Sequence, residues 1–155
     1  MANGNISRGG SDYNKGRGGQ QGGPGGQGRV VENIVNGISS LKYFSDMAVD
    51  NLVEYAEKAG EYLCQINLKT NQIRKFLDAV KKIESECSKG NFDRDSVKLL
   101  KPKLAYAAGR QKEVKPLMQL LDPAINKVNS IDDFKKFARF VESIVAYHKF
   151  YGGRD

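Results

Sequence analysis

From Val30 to the end of the chain, apolar residues recur at three- and four-residue intervals, and no segment alternates them every second residue. A helix returns to the same face every 3.6 residues and a half-buried strand every two. The pattern therefore predicts an all-α fold, a compact bundle of about five helices spanning residues 30–153. At 155 residues the chain is long enough for one domain with its own core.

The start and stop signals divide this stretch. Ser45 is the expected N-cap of a helix running to about Ile66, with Val49, Leu52, Val53, Ala56 and Leu63 on one face. Thr70 is the expected N-cap of the next, whose inward row is Ile73, Phe76, Leu77, Val80 and Ile83, ending near Glu86. Residues 89–93 read as a loop. Pro102 suits the first turn of a helix that begins at or before it. Val114 to Val128 reads as a further helix, with Pro116 near its start and Pro123 expected to kink it. Ser130-Ile-Asp-Asp133 has the spacing of a capping box. The helix it opens turns Phe134, Phe137, Ala138, Val141, Ile144, Val145 and His148 inward and ends near Gly152-Gly153. Val30, Val31, Ile34, Val35 and Ile38 fit either a short helix or an extended arm, because β-branched side chains favour neither strongly.

Residues 1–29 have a different composition. Eleven of the 17 glycines lie there with almost nothing apolar, so the segment cannot bury enough surface to offset its ordering entropy and is expected to be disordered. Arg8, Lys15, Arg17 and Arg29 against Asp12 leave it at +3. The Ser-Arg-Gly-Gly and Gly-Arg-Gly-Gly pieces match either an RGG-like RNA-binding arm or a flexible tether with incidental charge.

Net charge is +7 and the isoelectric point near 9.4, which favours an anionic partner. The charge is uneven: residues 30–66 carry −4 and residues 67–155 carry +8. Such a dipolar molecule can bind an anion on one side and offer the other to a basic neighbour, including a copy of itself. No apolar run approaches the ~18 residues of a membrane span, and the N-terminus has no apolar leader region. Cys64 and Cys87 follow no bridging or metal-ligand pattern and read as reduced thiols in a cytoplasm.

Catalytic chemistry has little to build on. His148 is the single histidine and falls on an apolar face, where a hydrogen-bonded core or interface histidine is the simpler reading. Two scattered cysteines do not make a zinc site, and no phosphate-binding Gly-x-x-x-x-Gly-Lys loop occurs. Asp93 with Asp95, and Asp132 with Asp133, sit where helices begin, so capping accounts for them. No catalytic residue, metal ligand, cofactor or small-molecule substrate is expected.

Basic residues with helical order remain. Lys103, Tyr106 and Arg110 fall at i, i+3 and i+7, which places two cations and a ring on one helix face, with Leu104 and Ala108 opposite. Ala107 and Gly109 are small enough to allow close approach to that helix. Arg74 and Lys81 lie seven apart on one flank of the Thr70 helix, and Lys75 and Lys82 on the other. Lys101 precedes Lys103, and Lys135, Lys136 and Arg139 fall on the outer side of the last helix. Cations with an interleaved aromatic suit a nucleic-acid backbone, whereas the plain alternative is a solvated helix face. Candidate RNA contacts are Arg74, Lys75, Lys81, Lys101, Lys103, Tyr106, Arg110 and Arg139.

Three segments, Thr70-Asn-Gln-Ile-Arg-Lys-Phe76, Lys101-Pro-Lys-Leu-Ala-Tyr-Ala-Ala-Gly-Arg110 and Phe137-Ala-Arg-Phe-Val-Glu-Ser-Ile-Val-Ala-Tyr-His-Lys-Phe-Tyr151, resemble in content, order and rough spacing the small subunit of type III-A CRISPR effector complexes, the Csm complexes. The likeness covers about residues 67–153 and leaves out the Gly-rich tail and the acidic 45–66 helix. It implies a helical, non-catalytic protein present in several copies, stacked beside the subunits that hold the guide RNA. It also implies that basic residues touch the backbone of the guide RNA–target RNA duplex while other Csm subunits cut. By position, Arg74, Lys75, Lys103, Tyr106, Arg110 and Arg139 become target-RNA contacts, and Phe140, Tyr147 and Tyr151 serve core or subunit contact.

Two alternatives stand beside this reading. One is a helical protein–protein adaptor whose charges only solubilise it. The other is a general RNA chaperone acting through the Gly-Arg tail.

Overall fold

A computed structural model describes residues 24–155, with side chains from residue 28 onward. The apolar rows form seven α-helices among those residues: α1 (Pro24–Ser39), α2 (Val49–Gln65), α3 (Thr70–Ser88), α4 (Arg94–Lys98), α5 (Leu100–Arg110), α6 (Lys115–Asn126) and α7 (Ile131–Phe150). The fold is all-α, as the spacing requires. The count exceeds five because α1 is a full helix and because α4, one short turn capped by Asp93, precedes α5. The expected disordered tail falls mostly on residues 1–23, outside the described residues; α1 opens at Pro24, inside the Gly-rich stretch.

Helix α7 is the axis of the molecule. Its inward row, Phe134, Phe137, Ala138, Phe140, Val141, Ile144, Val145 and His148, is buried, and α2 and α3 pack along it. The other half of the core is built by α6, which α1 and α5 cover. Leu117, Leu120, Leu121, Ala124 and Ile125 of α6 are all buried, and α6 runs through Pro123 to Asn126. Phe44 packs on α7, its ring 5.9 Å from Phe137 edge-on and 5.8 Å from Phe140, while its N–H donates to the Lys127 carbonyl at 3.0 Å just after α6.

Two expected caps are corrected. Ser45 does not cap α2: it lies in a 3₁₀ turn (Phe44–Asp46), and α2 begins after Ala48 with no side-chain cap bond. The backbone of Ser45 is engaged elsewhere, its N–H donating to Asp133 and its carbonyl accepting from Lys136. Thr70 is the first residue of α3 and not its cap: its Oγ1 accepts no hydrogen bond among the described residues, and its N–H donates to the Arg154 carbonyl at 2.7 Å. Lys69 takes the cap position, and its N–H donates to Gln72 Oε1 at 2.8 Å. Ser130 does cap α7, accepting the Asp133 N–H at 3.1 Å, but the Asp133 carboxylate reaches past it to Asn129 and Ser45.

Val49 and Val53, expected inward, are 63% and 39% exposed. The buried row of α2 is Leu52, Ala56, Ala59, Gly60 and Leu63. Helix α2 stops where Asn67 enters the left-handed region at φ 67, with the Leu68 N–H closing on the Leu63 carbonyl. Gly152, at φ 103, ends α7 in the same way. Both cysteines are unbridged, Cys87 buried and Cys64 half-buried. No described helix is long and apolar enough to cross a membrane.

Candidate nucleic-acid interface

Helix α5 buries Leu100, Leu104 and Ala108, one residue per turn. That choice of face leaves Lys103, Tyr106 and Arg110 exposed along its flank. Helix α3 buries Ile73, Phe76 and Val80, which turns Gln72, Lys75 and Ala79 toward α5. A groove of about 440 Å³ lies between these flanks, roofed at one end by the 3₁₀ turn Lys112–Val114. Its floor is apolar, formed by Phe76, Leu104, Val114 and Leu117 with Ala79 and Ala107 at the sides. Gln72 Nε2 donates to Gln111 Oε1 at 2.5 Å and ties the first turn of α3 to the residue after α5.

Four expected contacts, Lys75, Lys103, Tyr106 and Arg110, border this one groove. The Tyr106 ring is 68% exposed, with the Arg110 guanidinium carbon 5.9 Å from its centroid, inside cation–π range. Among the described residues none of the three cations forms a salt bridge, so their charge faces solvent. A second groove continues along the same seam beyond Lys103, where Lys82 and Asn91 join its lining.

The other expected contacts lie elsewhere. Lys81 faces α7, its ammonium bound to Glu142 and to Glu84. Hydrogen bonding to Glu142, the leading cause, raises its pKa. Arg74 is exposed on that same flank of α3, seven residues or about two turns from Lys81. Lys101 is half-buried and donates to Asn126 Oδ1 at 2.9 Å on the α6 side. Arg139 sits with Lys135 and Phe134 in a shallow depression between α3 and α7. Lys136, expected as an outer cation, is an internal clamp that donates to the Ser45 and Met47 carbonyls at 3.1 and 2.6 Å.

Sequence reasoning passed over Gln72, Gln111 and Lys82 as site residues. Lys82 had a signal in its seven-residue repeat with Lys75; the two glutamines had none, since their pairing spans 39 residues. The acidic helix is tied to α7: Tyr151 Oη donates to Glu57 Oε2 at 2.6 Å. That bond, with burial and the charges of Glu57 and Glu61, pushes the phenol up to about 12.

A family model described as Csm2 Type III-A matches residues 46–154, which takes in α2 as well as the three segments that carry the resemblance. A curated protein of Streptococcus thermophilus, "CRISPR system Cms protein Csm2", is 34% identical over 116 residues, covering 68% of this chain and 95% of that protein. The chain therefore belongs to the Csm2 family, the small subunits of type III-A CRISPR effector complexes.

Proposed function

We propose that this protein is a non-catalytic, RNA-binding structural subunit of a type III-A CRISPR ribonucleoprotein in the cytoplasm. Several copies stack with one another and with other Csm subunits along the guide RNA–target RNA duplex. The seam between α3 and α5 faces that duplex, and Lys75, Lys103 and Arg110 neutralise its phosphates. Sequence is read by base pairing within the RNA, so the protein needs only charge and shape.

The carrying observation is that three cations without salt-bridge partners among the described residues and one exposed ring border a single groove between two helices. Solvated charges placed only for solubility have no reason to converge on one apolar indentation. The exposed Val49 and Val53, at the edge of a depression that α2 shares with α7, support contact with a neighbouring subunit. Arg74, Lys81, Lys101 and Arg139 stand outside the proposed contact set.

Replacing Lys103 and Arg110 together by Glu should abolish RNA binding in an anisotropy titration while leaving the helical circular dichroism unchanged. Unchanged affinity in the folded double variant would remove this seam as the RNA site and favour the adaptor reading.

A further inference from the structure

A surface that only tracks phosphates needs charge and no cavity, yet the three cations of this seam stand around an indentation with an apolar floor. Phe76, Leu104, Val114 and Leu117 are each nearly fully buried beneath it, and Ala79 and Ala107 keep it open. Its volume of about 440 Å³ lies within the range of sites that enclose small organic groups, ~300–1,000 Å³. Tyr106 stands at the wall with most of its ring exposed, and Arg110 lies against that ring. The groove is open along the seam, because Lys103 borders both it and the next depression, which Lys82 lines. A closed pocket would suit a free nucleotide, whereas this open one lets a chain enter and leave.

We infer that the α3–α5 groove receives a single unstacked nucleobase of the bound RNA, its face against Tyr106 and the apolar floor. Lys75, Lys103 and Arg110 hold the phosphates on either side. The inference rests on the RNA-binding reading and adds a base contact to it. Every base has a π-face, so stacking here is compatible with binding that ignores sequence. The positive rim matches a phosphate on each side of the inserted base.

The test uses the full chain and two RNAs of equal length, one an oligoadenylate and one with abasic ribose at every position. With a base site, the abasic RNA binds about tenfold more weakly. Tyr106→Ala then weakens oligoadenylate by a similar factor and leaves the abasic RNA unchanged, Tyr106→Phe restores binding, and Ala107→Leu, which fills the groove, acts like Tyr106→Ala. Equal affinity for the two RNAs overturns the base site and keeps the backbone reading. A preference for oligoadenylate that survives both Tyr106→Ala and Ala107→Leu places the base elsewhere and also overturns it. Failure to bind either RNA removes the base site and the RNA-binding reading together.

Discussion

The Asp133 carboxylate accepts the Ser45 N–H at 2.9 Å, joining the turn before α2 to the first turn of α7 across 88 residues. Its other oxygen accepts the Asn129 N–H at 2.9 Å, and the residue is only 1% exposed. Asp133→Ala leaves the Ser45 and Asn129 N–H groups, both at part-buried bonds, without this partner and should cost about 1–3 kcal/mol in urea unfolding. Burial pulls the Asp133 pKa up, but hydrogen bonds from Asn129, Ser45 and Ser130 outweigh it and hold the carboxyl below its usual range. The unfolded group titrates near ~3.9. Its stabilisation is therefore complete above that pH and is lost as pH falls through the lower folded-state pKa. The stability gap between wild type and Asp133→Ala should narrow as pH falls below ~3.9.

His148 is fully buried, with Nε2 2.6 Å from the Leu68 carbonyl and Nδ1 without a partner among the described residues. Burial pushes its pKa down; the Leu68 carbonyl opposes the shift and Lys149 adds to it. The folded state thus prefers neutral imidazole, while the unfolded chain takes up a proton near pH ~6.5. Stability should be full above that pH and fall as pH drops toward the folded-state pKa. Unfolding midpoints at about pH 7.5 and about pH 5.5 should differ for wild type, and His148→Gln should lose that difference.

Gly60 and Gly109 both lie within helices but should respond oppositely to alanine. A Cβ on Gly60 would meet His148 N at 2.6 Å and the Ile144 carbonyl at 2.9 Å, backbone atoms that cannot rotate away. Gly60→Ala should cost about 1–3 kcal/mol despite alanine's better helix propensity. Gly109 has nothing within 4 Å of that position. Gly109→Ala should stabilise by up to about 1 kcal/mol, read from thermal or urea unfolding.

Salt dependence should separate the two flanks of α3. For single-stranded RNA each neutralised phosphate contributes about −0.7 to the slope of log K against log salt. Replacing Lys75 and Lys103 by Ala should make the slope shallower by about 1.4. Lys81→Ala should leave it unchanged, since that ammonium is already held by Glu142 and Glu84.

The α3 sequence shows why legibility ends where it does. Its apolar row, Ile73, Phe76 and Val80, was readable because a 3.6-residue period is a local property. The same period defined two basic flanks, Arg74 with Lys81 and Lys75 with Lys82, and gave no reason to choose between them. Packing made the choice: α7 took the first flank through Glu142, and α5 faced the second. Ser45 failed as a cap for a similar reason, because a buried carboxylate 88 residues away claimed its N–H.

The sequence by itself determined the all-α class, the buried rows of α3, α5 and α7, and the exposed face bearing Lys103, Tyr106 and Arg110. Each follows from side-chain order within a single helix. Only the tertiary structure decided that Lys75 joins that face, that Lys81, Lys101 and Lys136 are engaged elsewhere, and that an apolar groove opens among the remaining cations. Those outcomes depend on which helices meet and on what a distant side chain already holds.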